Sequence, residues 1–141
     1  MSHFSKLAKS NIIDVKAFVA AMKELGFTNI KENTTIKDYV GKTMKVDVAV
    51  DCGRYSIGLV KNESGKYDMV SDWWGIRTRC KLPPEFIKAC KVQNMSDQDI
   101  QDCLLRYTTK HTLVNKYKKL GYQCVTKEDN DGKLQITMNK F

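Results

Sequence analysis

The chain has 141 residues, 42% apolar and 28% charged, with a formal net charge of +8 at pH 7. That length suits one domain with a sizeable core, and that composition belongs to a globular chain rather than a disordered one. No apolar run approaches the roughly 18 residues needed to cross a bilayer, and the first ten residues lack the basic-then-apolar layout of a secretory signal. The positive charge raises the question of an anionic partner. It is distributed over both halves of the chain, so there is no basic arm.

In chain order, His3 and Phe4 read as a first strand with Phe4 turned inward. Asp14 to Leu25 reads as an amphipathic helix, because Val15, Phe18, Val19, Met22 and Leu25 recur at i, i+3, i+4 and i+7. Asp14 is suited to cap it, and Gly26 to end it in a left-handed turn with Phe27 packing back. The period then changes to two. Met44, Val46, Val48 and Val50 alternate with polar or small residues and predict a half-buried strand with the four on one face. Cys52-Gly53 is a turn into Tyr55, Ile57 and Leu59, and Asn62 to Gly65 a turn into Tyr67, Met69 and Ser71. Three such strands make an antiparallel meander, with Trp73 and Trp74 expected on opposite faces of its continuation.

Pro83-Pro84 breaks the chain before a short helix from Glu85 to Cys90. Ser96, with Asp97 and Asp99, opens a second long helix. Along it Ile100, Cys103, Leu104, Tyr107, His111, Val114 and Tyr117 gather on one side, and Leu120-Gly121-Tyr122 closes it as Leu25-Gly26-Phe27 closes the first. Tyr122 to Lys127 and Leu134 to Met138 predict a closing hairpin around Asn130-Asp131-Gly132. Helices and antiparallel hairpins segregated in this way give an α+β fold: one domain over residues 1–141, an antiparallel sheet with two main helices on one face.

Five cysteines, Cys52, Cys80, Cys90, Cys103 and Cys124, are odd in number and widely spaced, with no C-x-x-C pair. They are expected to be buried free thiols in a reducing compartment.

The signatures Met1-Ser2-His3-Phe4-Ser5 and Tyr67-Asp68-Met69-Val70-Ser71-Asp72-Trp73-Trp74-Gly75, together with the Leu25-Gly26-Phe27 helix exit, Arg106-Tyr107 and Leu120-Gly121-Tyr122, resemble the family of the hypothetical chloroplast reading frame thirty-five. That is an uncharacterised protein type of plastids, cyanobacteria and related phages. The resemblance runs essentially end to end, with Lys81 to Met95 standing out as an insertion. It implies a compact protein of a bacterial or phage-infected cytoplasm or a plastid stroma, without an assigned activity, and it supplies no catalytic residue.

Few residues carry chemistry by their spacing. His3 lies beside Ser2 and Ser5, but adjacency is no triad, and a residue orienting the base is missing. His111 shares its helix face with Cys103, yet two ligands are too few for structural zinc. Asp129-Asn130-Asp131-Gly132 opens like a calcium loop, but Lys140 stands where its glutamate is required. Gly41-Lys42-Thr43 lacks the upstream glycine of a phosphate loop, since Ile36 stands there.

Trp73-Trp74-Gly75 followed by Arg77, Arg79 and Lys81 is the more telling cluster. On a strand Arg77 and Arg79 share a side, and with the outward Trp74 they form either a small recognition patch or a cationic edge that resists aggregation. From Cys103 to Lys127 there is no acid, but Arg106 and Lys110 fall together on the helix while Lys116, Lys118 and Lys119 scatter around it. The expected function is therefore macromolecular binding without catalysis, to a protein or a nucleic acid, with no membrane, metal or cofactor. Trp74, Arg77, Arg79 and Arg106 are the candidate contacts. A small enzyme using His3 or His111 is the reading from another class.

Overall fold

A computed structural model describes residues 4–6, 10–90, 96–128 and 134–140. Its elements in order are β1 (Ser5–Lys6), α1 (Val15–Glu24), β2 (Ile30–Lys37), β3 (Thr43–Asp51), β4 (Ser56–Lys61), β5 (Tyr67–Ser71), α2 (Trp73–Arg79), α3 (Pro84–Cys90), α4 (Asp97–Lys119), β6 (Tyr122–Glu128) and β7 (Leu134–Lys140).

The helix ends follow from local chemistry. Asp14 is extended and its side chain accepts the Ala17 amide at 3.0 Å, satisfying one of the donors that a helix start leaves open. α4 opens on a reciprocal pair, with the Asp99 amide donating to the Ser96 hydroxyl at 3.1 Å and the Ser96 amide donating to the Asp99 carboxylate at 2.9 Å. Both long helices end on a glycine in the left-handed region, Gly26 at φ +93° and Gly121 at φ +90°.

The main sheet is antiparallel in the order β1-β5-β4-β3-β2, with β6 and β7 forming a separate hairpin. Its register pairs Val48 with Leu59, Val50 with Ile57 and Leu59 with Met69. These side chains meet Phe18, Ala21, Met22 and Leu25 of α1, Ile76 of α2, Phe86 of α3, and Ile100 and Leu104 of α4 in one buried cluster. The architecture is the expected α+β one, with the helices on one face of the sheet. The segment of the closing turn, residues 129–133, lies outside the described residues.

Four expectations need correction or relocation. First, Met44 and Val46 do not continue the row of Val48 and Val50. They join Ile36, Ala49, Val60 and Val70 in a second cluster on the other face. The change of phase falls at Asp47, opposite the stretch of β2 where Asn33 sits at φ +47°, a left-handed residue inside a strand. Second, β2 has no counterpart in the sequence reading. Between Ile30 and Ile36 it carries only polar residues, as an edge strand can. Third, the Trp73–Arg79 segment is a helix, α2, rather than strand. Fourth, Cys90 and Cys103 are joined as a disulfide, tying the end of α3 to α4 with their Cα atoms 6.0 Å apart. Twelve intervening positions carry no local signature of a bridge. The fold brings the two sulfurs together by laying α3 against α4. Cys52, Cys80 and Cys124 are free thiols, and burial pushes the Cys52 thiol well above its ordinary range.

Candidate functional site

α2 owes its place to Asp72. Its carboxylate is buried at 1% exposure, and one oxygen accepts the Gly75 amide at 2.9 Å, capping the helix. The other oxygen accepts the amide of Tyr39 at 2.8 Å, from the loop between β2 and β3. An aspartate that caps a helix starts one where alternation alone would have continued the strand. Trp73 and Trp74 still face different ways, now by the roughly 100° step of a helix rather than the alternation of a strand. Trp73 and Ile76 enter the core, while Trp74 keeps 36% of its surface in solvent.

Around Trp74 an exposed ledge forms. The Tyr39 ring meets it edge to face with centroids 5.8 Å apart, and the Arg79 guanidinium lies 5.4 Å from the ring centre. Two shallow clefts border it. One, of about 360 Å³, is lined by Lys37, Val40 and Arg54; the other, of about 390 Å³, by Arg54, Arg79 and Lys81. All four of these cations are exposed, and none forms an ion pair among the described residues. The nearby acids Asp38 and Asp72 are buried, Asp38 accepting the Lys42 amide at 2.8 Å. The exposed surface is therefore mainly cationic and aromatic, with the half-exposed Asp51, which accepts from Asn29 and the Gly53 amide, on the wall of the second cleft.

The four candidate contacts do not converge. Trp74 and Arg79 meet. Arg77, two residues from Arg79, points to another side of the helix and pairs with Asp97 at 2.8 Å. A strand would have aligned the two arginines; the helix separates them. Arg106 sits on α4, on the wall of a separate groove. Tyr39, Lys37 and Arg54 had no signal in the sequence, because they reach the ledge from loops and strand ends far from Trp74 in the chain.

His3 lies outside the described residues. His111 contributes to a tie between helices. Its Nε2 lies 2.8 Å from Glu24 of α1, and Lys110 Nζ donates to both oxygens of the same carboxylate at 2.5 and 2.8 Å. Burial raises the Glu24 pKa, but the hydrogen bonds and charges of Lys110 and His111 outweigh it and hold the carboxyl below its ordinary 4.5. Lys110 also lies 4.6 Å from the Tyr107 ring centre, and the Tyr107 hydroxyl donates to Glu128 at 3.2 Å. Burial, then the Glu128 charge, pushes Tyr107 up to about 12, so it remains a hydrogen-bond donor at neutral pH. Cys103, the residue paired with His111 in the metal-like reading, is taken up by Cys90. Among the described residues no group of three or more His, Cys, Asp or Glu is placed to hold a metal ion, and no helix is long and apolar enough to cross a membrane.

The sequence model of a family described as Protein of unknown function (DUF1257) matches residues 21–137. That stretch runs from the last turn of α1 into β7 and includes the ledge, the helix tie and the α4 groove. Comparison with curated proteins gives no match, and comparison with solved structures gives none either.

Proposed function

Since the chain belongs to the family described as Protein of unknown function (DUF1257), we propose a role from its own surface: it works by binding, without chemistry of its own, and grips single-stranded nucleic acid on the Tyr39–Trp74–Arg79 ledge. The narrower resemblance, to the hypothetical chloroplast reading frame thirty-five, belongs to this proposal. With it comes a plastid stroma or a bacterial or phage-infected cytoplasm as the setting.

The observation that carries the reading is the Arg79 guanidinium over the exposed Trp74 ring, flanked by Lys37, Arg54 and Lys81, which form no ion pair among the described residues, with Asp51 the one acid on the wall of the cleft that Arg54, Arg79 and Lys81 line. Single-stranded nucleic acid asks for this combination. Its bases offer flat faces to aromatic rings, each stack contributing about 1–3 kcal/mol, and its phosphates take the cations. The alternative of an enzyme built on His111 has less support. His111 and Lys110 share one carboxylate, and both side chains are used in holding α1 to α4.

Fluorescence anisotropy with a labelled single-stranded oligonucleotide tests the proposal. Binding should be weak, blind to sequence, and steeply reduced between low and physiological salt as counterion release requires. Trp74→Ala with Arg79→Ala should weaken it roughly tenfold or more and leave the chain folded, since both side chains reach solvent. Arg77→Ala should matter much less, because Asp97 already neutralises Arg77. Absence of binding even at low salt would remove the nucleic-acid reading.

A further inference from the structure

Away from the ledge, the outer side of α4 and the hairpin strand β7 enclose a groove of about 550 Å³, within the range of about 300–1,000 Å³ usual for small-molecule sites. Its walls are apolar: Leu105 and Leu113 from one row of α4 at i, i+4 spacing through Thr109, and Ile136 from β7. Three charged side chains also enter it. Lys110 is neutralised by Glu24, whereas Asp102, an exposed acid four residues before Arg106, accepts the Gln98 side-chain amide at 2.8 Å and forms no ion pair among the described residues. Arg106 differs from both. It is half-buried, its Nε is shielded from solvent, and it has no hydrogen-bond or ion-pair partner among the described residues. A guanidinium Nε shielded from solvent in a largely apolar wall leaves a strong donor unused, and such groups are rarely left so.

We infer that this groove is a ligand site for an aliphatic carboxylate, with the head group on Arg106 and the hydrocarbon tail along Leu105, Leu113 and Ile136. The shielded, unpartnered Nε of Arg106 calls for an acceptor, and a carboxylate supplies one. The planar guanidinium matches a carboxylate through two parallel hydrogen bonds. The tail has a track to follow, since Leu105 to Leu113 covers about 12 Å of helix. A second cavity of about 200 Å³ shares Leu105, Thr109 and Leu113 and extends the apolar surface to Ile13, which is 66% exposed. The site shares no residue with the ledge and stands independently of the nucleic-acid proposal.

Isothermal titration of the full chain with octanoate, octylammonium and acetate tests the inference. Octanoate should bind saturably at one site, and octylammonium and acetate roughly tenfold or more weaker, the first lacking the anion and the second the tail. Arg106→Gln should weaken octanoate roughly tenfold or more while leaving the octylammonium response unchanged. Leu113→Glu, at a helix position already 36% exposed, should weaken octanoate without unfolding the chain, and it decides the matter if Arg106→Gln does not fold. Octanoate that fails to saturate, that binds no better than octylammonium, or that is indifferent to both substitutions would overturn the site.

Discussion

Asp72 and Tyr39 stand 33 positions apart in the chain, yet the buried Asp72 carboxylate accepts the Tyr39 amide at 2.8 Å while its other oxygen caps α2 on Gly75. One side chain thus fixes both the helix that carries Trp74 and Arg79 and the loop that carries Tyr39. Asp72→Ala removes the cap and strands the Tyr39 amide, for an expected loss of about 2–3 kcal/mol, or roughly 10 °C in Tm. Asp72→Asn keeps one acceptor for Gly75 and should cost about half as much. Thermal melting of the two variants checks this; a drop below about 1 kcal/mol for the alanine would show that neither bond supports the ledge.

The disulfide makes a countable prediction. Alkylation under denaturing, non-reducing conditions should block three thiols, Cys52, Cys80 and Cys124, and reduction should release Cys90 and Cys103 for labelling. Closing a loop with a sequence separation of 13 stabilises a fold by about 3 kcal/mol in the chain-entropy account, so denaturation in reductant should occur at clearly lower urea. Five alkylated thiols without reductant would show that the bridge does not form in solution.

Glu24 sets an acid limit on the contact between α1 and α4. A carboxyl held below 4.5 when folded binds fewer protons than its unfolded counterpart. Its stabilisation is therefore complete above the ordinary carboxylate range and is lost as pH falls through the folded value. Glu24→Gln should flatten the decline in stability below about pH 4.5 relative to the unsubstituted chain. At neutral pH it should be less stable by about 1–3 kcal/mol, because Lys110, with its side chain 8% exposed, keeps its charge and loses its partner. Urea midpoints measured from pH 3 to pH 7 decide it, and parallel curves for the two proteins would contradict the argument.

What the sequence makes legible is local. Asp14, Ser96, Gly26 and Gly121 announce helix ends because capping involves groups only a few residues apart, and each is found where spacing puts it. The meander from Val48 to Ser71 is legible for the same reason. The register of Val48 against Leu59 follows once the turns are placed. What escapes depends on contacts distant in sequence. Asp72 ends a strand by capping a helix, and that helix turns Arg77 away from Arg79. Cys90 meets Cys103 only through the packing of α3 on α4. The ledge is half legible, since Trp74 and Arg79 lie five residues apart, whereas Tyr39 and Arg54 come from the loops on either side of β3. The α4 groove depends on Ile136 arriving from the hairpin, and from sequence alone Arg106 reads as a candidate contact grouped with Trp74, Arg77 and Arg79, with nothing to place it in a separate groove.

The change of phase at Asp47 has a mechanical meaning. β3 gives Met44 and Val46 to one side of the sheet and Val48 and Val50 to the other, so the strand is held like a key cut on two edges. Rotating it about its own axis to seat either end more deeply would withdraw the opposite end. Sliding it by one residue against β2 or β4 would expose apolar side chains to solvent on both sides at once. The neighbouring registers that a uniformly alternating strand can sample are thereby closed to this one. The centre of the sheet becomes the rigid reference against which the Tyr39 loop and α2 are positioned.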